Sequence, residues 1–440
     1  WRWAVDCEGA LTIIAFDRGF VPDQSELDPQ NLSACVDVIP GDRGMKYAPT
    51  AIAVPSVGVL AAFCRGAFAG RKLDATVRTF AGTSTKVYEL VGTTWTDRSA
   101  GGGTYTTTKT WCYAQFGDIT LATNDNDNIQ QTSSGAFAAI ANAPKARIVI
   151  AVPNFAIALN TQNGSASSTF GDSPDRWWSS AYQNPNDWAI NATNQCVSER
   201  LIGGGGEITA AAPFGTGWVA YKLREMFHAH YTGDAGVFTT QRVLGNWGCV
   251  GPRAVAEVEG SHFVVGEDDI FIYDGARAVS VASGKVRNWL FSIPSADSLD
   301  REVAHLTRVC YDKARGLVWV FYPVLNGGGT LCKQALVYHL ATGRWGTSKY
   351  AMVNSLTLGV DDAFVLSYEA TGPDDVAVFN SSHQIMTLDG AGITTASSLV
   401  LPRLTTGMFG ANGADTMLYR AHIVSASGNQ VTVNAASDLP

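Results

Sequence analysis

The residues with the most chemical potential fall in a few short clusters. Asp361-Asp362 and Glu267-Asp268-Asp269 offer paired carboxylates, the groups that glycoside hydrolysis places on either side of a sugar; polar turns are the plainer account of both. His228 and His230 stand two residues apart, so on a strand both rings leave the same face, as two metal ligands would. No third ligand is close in sequence, and Phe227, Ala229 and Tyr231 occupy the opposite face, which fits a strand with one apolar and one polar side. Asn124-Asp125-Asn126-Asp127-Asn128 alternates oxygen ligands, but a calcium loop read from Asp125 needs Gly at its sixth position and Glu at its twelfth. The chain has Gln130 and Ala136 there, and an Asx-rich turn is the reading that remains. Gly203 to Gly206 could cradle an anion on backbone N–H groups, yet no helix signal or Lys follows to complete a phosphate site, so the run reads as a flexible loop.

Trp177, Trp178 and Trp188 form an aromatic segment that could stack on sugars or bases, pack within its own loop, or pack against a neighbouring subunit. No phosphate-binding G-x-x-x-x-G-K-[ST], strand-borne G-x-G-x-x-G, H-E-x-x-H or G-x-S-x-G is present. The eight cysteines lie at wide, irregular intervals without a C-x-x-C pair, which reads as reduced, buried thiols rather than a disulfide scaffold or zinc site. No acid–base constellation assembles, so no catalytic residue, cofactor or metal is assigned and the chain reads as a non-enzyme.

The elements that must position these clusters are strands. Charged residues make up 16% of the 440, against about a quarter in typical soluble domains, and Thr, Val, Gly and aromatics dominate, which suits half-buried strands and tight turns. The longest apolar stretch, Ala51 to Cys64, is short for a membrane span and broken by Pro55, Ser56 and Gly58. Residue 1 is Trp, so the chain is expected to begin inside a longer product, and no secretory leader is seen.

An internal echo organises the strands. Val87-Tyr88-Glu89-Leu90 precedes Trp95, and Val337-Tyr338-His339-Leu340 precedes Trp345, with the same offset from Tyr to Trp. Each reads as a strand, a polar turn and a second strand, the outer hairpin of a propeller blade. Gly327-Gly328-Gly329 ahead of the second copy adds a kelch-like touch. Ile148 to Val152 and Phe155 to Leu159 flank Pro153-Asn154, another hairpin. Such units predict an irregular all-β propeller of about six to eight blades, each of roughly 40 to 50 residues. The propeller spans residues 1–391, with a small β element at 392–440. Pro22 to Gly44, Ser99 to Thr108 and Gln162 to Gly206 read as excursions from the sheets.

Several strings go further. Trp111-Cys112-Tyr113-Ala114-Gln115-Phe116-Gly117-Asp118, Leu121 to Asn124, Gln130, Pro144 to Arg147, Trp178-Ser179 with Trp188, Gly204-Gly205 before Glu207, Tyr231-Thr232-Gly233, Gly248 with Gly251-Pro252, and Phe271 to Gly275 resemble propeller-type tail nozzle proteins of short-tailed bacteriophages, the tail tubular protein B kind. Cys112 and Cys249 depart from the pattern. The resemblance implies a virion structural protein assembled in the host cytoplasm. It would form a homo-hexameric ring below the adaptor, or head-to-tail connector, where tail fibres or spikes attach and double-stranded DNA passes during ejection.

The net charge of −8 fits a conduit that touches DNA without gripping it. Asp125, Asp127, Glu267, Asp268 and Asp269 are the candidates for lining that passage, and Trp177, Trp178 and Trp188 for the contact between subunits. The alternative is a carbohydrate-binding or carbohydrate-active propeller for host attachment. A single-chain adhesin or scaffold propeller is a further rival.

Overall fold

A computed structural model describes residues 2–7, 10–15, 18–25, 31–162, 170–234, 236–292, 294–325, 327, 331–348, 360–367, 374–388, 403–406 and 421–423. Seven antiparallel sheets stand as the blades of a propeller. Their inner strands are, from blade 1 to blade 7, Gly66–Arg71, Cys112–Phe116, Lys145–Val152, Ile208–Phe214, Val255–Val258, Arg308–Asp312 and Val360–Ser367. Each lies beside the inner strands of the blades before and after, and the seventh returns to the first.

Closure uses a strand from the far end of the chain. Ile52–Ala53, which precedes blade 1, forms the outermost strand of blade 7, with Ala53 opposite Met386 and Ile52 opposite Thr387. The Val54 N–H donates to the Ile385 carbonyl at 3.2 Å. Blade 6 gains two further strands, Val38–Gly41 and Gly44–Tyr47, on its outer side.

Burial on both faces explains the apolar runs. In Leu317–Tyr322, the second strand of blade 6, all six residues are buried. Val318, Val320 and Tyr322 enter the core shared with blade 5, while Leu317, Trp319 and Phe321 enter the core shared with blade 7. A strand pressed between two blades reads as a continuous hydrophobic run, where a half-exposed strand would alternate. The Pro153-Asn154 turn joins Val152 to Phe155 as a two-residue hairpin loop. Pro fixes its own φ, and Asn154 accepts φ 68°, the pattern of a type II turn.

The echoed segments are the third and fourth strands, counted from the axis, of blades 1 and 6: Val87–Val91 with Thr94–Asp97, and Gln334–His339 with Arg344–Ser348. Their registers differ. Trp345 stands directly opposite Tyr338, whereas Trp95 stands opposite Leu90 because its turn is shorter. Both Trp rings reach the preceding blade, Trp345 through Nε1–H to the Val281 carbonyl and Trp95 against Phe379.

Two expected excursions hold sheet strands. Gln162 to Gly206 contains Ser173–Ser179 and Ser198–Arg200, the outer half of blade 3, and Pro22 to Gly44 contains Leu32–Val36 and Val38–Gly41. Ser173–Ser179 was hidden by its polar first half and by flanking Gly, Ser and Asn. Gly328 and Gly329 lie outside the described residues, as does the expected boundary at 391/392. Within 392–440, Arg403–Thr406 pairs with Leu32–Val36 as an appended sheet, and Ala421–Ile423 pairs with Arg2–Cys7. No helix among the described residues is long and apolar enough to cross a membrane.

The closing strand yields a test. Val54→Pro removes the N–H that bonds Ile385, so the urea midpoint should fall, and blade 7 should lose amide-exchange protection before blades 3 and 4 do. Uniform protection loss across all blades would contradict closure at this strand.

Candidate functional site: an axial cavity and its polar plug

The inner strand of every blade is also a sheet edge, so its unpaired N–H and C=O groups face the axis. Near the N-terminal ends of these strands a buried ionic knot meets that demand. Asp362, wholly buried, accepts from Arg308 Nε at 2.7 Å through Oδ1. Its Oδ2 accepts from Arg253 Nη1 at 3.1 Å and from the Ala67 N–H at 2.7 Å. Arg253 also donates to the carbonyls of Ala67 and Ala363, at 2.9 and 3.0 Å, and Arg308 to Thr110 Oγ1 at 3.4 Å. Blades 5, 6 and 7 are thus tied to blade 1 and to the approach to blade 2.

Below this plug runs an axial cavity of about 430 Å³ walled by all seven blades. Ala67, Ile150, Ala211, Val309 and Phe364 supply apolar wall, Cys112 and Cys310 add thiols, and Arg253 lines it from the knot. Burial pushes Cys112 up to about 11 and Cys310 up to about 12, which keeps both as neutral thiols. Towards the C-terminal ends of the strands the lining turns polar. Glu257 is exposed there, Tyr311 donates to Glu259 Oε1 at 3.0 Å, and Ser367 Oγ donates to Asp374.

Asp361, beside Asp362 in sequence, points to a different partner. Its Oδ2 sits 2.8 Å from His383 Nδ1 and accepts weakly from the Cys64 N–H at 3.4 Å. Burial pushes Asp361 up to about 6, against the bond from His383. The paired carboxylates therefore serve two separate internal contacts and do not face a common substrate.

The histidines lie at the seam between blades 4 and 5. His262 Nε2 sits 2.8 Å from the Pro213 carbonyl, which can only accept, so Nδ1 accepts from Tyr221 Oη at 2.7 Å. Tyr273 Oη donates to the Gly275 carbonyl at 2.8 Å and so receives the Nδ1–H of His228 at 3.0 Å. Neighbouring rings thereby hold opposite tautomers. Burial holds His262 down to about 4, and burial followed by repulsion from His230 and His262 does the same to His228. Phe227 and Ala229 enter the core on the blade 3 side, as the alternation predicted.

The remaining predicted residues are placed as follows. Trp177, Trp178 and Trp188 are 0%, 3% and 0% exposed. Trp177 packs on Trp218 towards blade 4, and Trp178 Nε1–H donates to the Trp188 carbonyl at 3.1 Å. Their rings are taken up inside the chain. Asn124 Oδ1 accepts from the N–H groups of Asn126 and Asp127, which makes the Asx turn expected there. Burial raises Asp125, and Asp127 accepts from Asn124 Nδ2 at 2.9 Å.

Glu267 pairs with both Nε and Nη2 of Arg224, while Asp268 and Asp269 face Arg287 at 3.8 and 3.9 Å. None of these five carboxylates lines the axial cavity. The glycine run does hold an anion, the chain's own: the Gly205 N–H donates to Glu225 Oε2 at 3.1 Å. A Cβ on Gly203 would come within 2.3 Å of that oxygen, so the run is shaped by packing. Among the described residues, no group of three or more His, Cys, Asp or Glu is placed to hold a metal ion.

Sequence reasoning missed Arg253 and Arg308, the cationic half of the knot. The signal was an Arg directly ahead of the apolar Val309-Cys310, mirrored by Asp362 directly ahead of Ala363-Phe364. Opposite charges at the starts of two inner strands are a pairing pattern.

No family model and no curated protein matches the chain. Among solved structures it is similar to YCF48 from Cyanidioschyzon merolae, at 10% identity over 78% of this chain and 98% of that one, TM-score 0.44. It is also similar to BamB from Moraxella catarrhalis, at 10% identity over 80% and 92%, TM-score 0.43. The computationally designed Ika8 protein aligns at 9% identity over 77% and 99%, TM-score 0.42.

The tail-nozzle expectation is corrected: the similar structures named above are YCF48, BamB and a designed protein, and none of them is a phage tail protein. The virion setting, hexameric ring, adaptor, fibres and DNA passage implied by that resemblance go with it. The glycan alternative loses its footing too, with its Trp rings buried and Asp361 and Asp362 engaged internally.

Two outcomes follow from the buried charges. Asp362→Ala leaves Arg253 and Arg308 buried without their carboxylate and should cost about 3–5 kcal/mol in urea unfolding; a loss under about 1 kcal/mol would show the knot to be incidental. Below pH 6.5 the unfolded chain protonates His228 and His262 while the folded chain resists until about 4, so stability is full above this window and falls through it. Asp361, raised to about 6, acts in the opposite sense between 3.8 and 6 and offsets part of the loss. The thermal midpoint should therefore fall on acidification, and His262→Gln should make that fall shallower.

Proposed function

We propose that the chain is a non-enzymatic binding propeller whose axial cavity takes an apolar group carrying a positively charged or hydrogen-bond-donating head. The cavity itself carries this reading. At about 430 Å³ it falls in the range of small-molecule sites, which are apolar with a few polar groups that set orientation. Its walls combine aliphatic and aromatic side chains, and its lower rim bears Glu257 and Asp374, with Glu259 next to Tyr311. Arg71, 3.9 Å from Asp374, is the cation at that rim. A carboxylate-bearing ligand would meet like charge there, and an amine would not.

The internal commitment of the reactive groups supports a binding role over a catalytic one. Asp362, His262 and Glu225 are each held by protein partners in the folded chain, and a general acid or base must instead reach a substrate.

A matched pair of probes tests this. 4-Phenylbutylamine and 4-phenylbutyrate share a body and differ in head charge. By calorimetry the amine should bind saturably and more tightly than the acid. Ala256→Phe, which fills the cavity from blade 5, should abolish binding of both, and Glu257→Gln should narrow the gap between them. Absence of saturable amine binding, or binding unaffected by Ala256→Phe, would remove the cavity from consideration.

A further inference from the structure

We infer that His228 and His230 form a two-imidazole chelate for a divalent ion of the copper, nickel and zinc class, at the seam between blades 4 and 5. The two residues leave one face of Met226–Tyr231, with ring centroids 3.9 Å apart and planes inclined by 34°. This site is separate from the axial cavity.

The tautomer argument makes His228 a ready ligand. Its Nδ1–H is committed to Tyr273 Oη, which in turn donates to Gly275, so Nε2 carries the lone pair. A hydrogen bond at one ring nitrogen that fixes the lone pair on the other is the usual outer support of a metal-binding histidine. His228 as a whole is 6% exposed, against the exposed His230 beside it. His230 is exposed, with neither ring nitrogen hydrogen-bonded among the described residues, and can turn to bring its nitrogen alongside.

Directly opposite the pair on Phe238–Arg242 stand Gln241 and Thr239, neutral side chains that bring no cation to repel a metal. Phe214 packs edge-on to His228 at 5.1 Å and limits its rotation. Imidazole nitrogens suit copper, nickel and zinc. With two protein ligands, the remaining coordination positions belong to water.

The test is calorimetric titration of the untagged chain with Cu²⁺ at neutral pH in a non-coordinating buffer, with electron paramagnetic resonance on the loaded protein. The expected result is one saturable site showing coupling to two imidazole nitrogens and a raised thermal midpoint. His230→Ala, at an exposed position, should fold normally, weaken binding at least about tenfold and leave one coupled nitrogen. Lack of saturable binding in the parent chain, or an unchanged isotherm and spectrum in His230→Ala, would overturn the assignment.

Discussion

A propeller cannot pair its inner edges, and this constraint governs the centre of the molecule. Seven inner strands converge on the axis, and each carries N–H and C=O groups with no neighbouring strand to meet them. Asp362, Arg253 and Arg308 answer this locally. One guanidinium bonds carbonyls on blades 1 and 7, and one carboxylate takes a blade 1 N–H. Arg suits this position because its planar fork presents several donors at fixed angles and stays charged when buried. The carboxylate is equally necessary, since two guanidiniums at the axis without an anion would repel each other in a poorly solvated site.

The same knot borders the cavity. It lies near the N-terminal ends of the inner strands, where its Arg253 lines the cavity, and the polar rim of Glu257 and Asp374 lies at the other end. Below the plug small residues form part of the walls, Ala67 and Ala69 from blade 1, Ala211 from blade 4 and Ala256 from blade 5, beside the larger Phe68, Trp111, Tyr113 and Phe364. Larger side chains at those positions would fill the axis. The cavity thus depends on small residues where the strands come closest, as the ionic knot depends on charged ones.

Much of the architecture was readable because burial on two faces leaves a strong mark. The Ile148 to Val152 and Phe155 to Leu159 runs announced central strands, and Pro153-Asn154 announced the turn between them. The site was less readable, because its parts are distant in sequence: Ala67, Arg253, Arg308 and Asp362 meet only when the ring closes. Local reading therefore saw Asp361-Asp362 as a pair, although each carboxylate turns to a different partner. It left Trp177, Trp178 and Trp188 open between stacking, loop packing and a subunit contact, because Ser173–Ser179 begins with the polar stretch Ser-Pro-Asp-Arg and resembles a loop. Their burial is set by blades 2 and 4, which no local window contains.

The strings that suggested a tail component show why such likeness misleads. Trp111 is buried and donates from Nε1 to the Thr83 carbonyl at 2.8 Å, joining blade 2 to blade 1. In Phe271 to Gly275, Tyr273 bonds the Gly275 carbonyl, and Asp274 Oδ1 accepts from the N–H groups of Ala276 and Arg277 to close the turn. Gly251 is required because a Cβ there would lie 2.4 Å from the His305 carbonyl oxygen. Each string answers a demand that any propeller must meet: a Trp to bridge blades, an Asx turn to end a strand, a glycine where backbones touch. Residues selected by those demands report the architecture and are silent on role. Information about role lies instead in groups that packing does not require, such as Glu257 at the cavity rim and the exposed ring of His230.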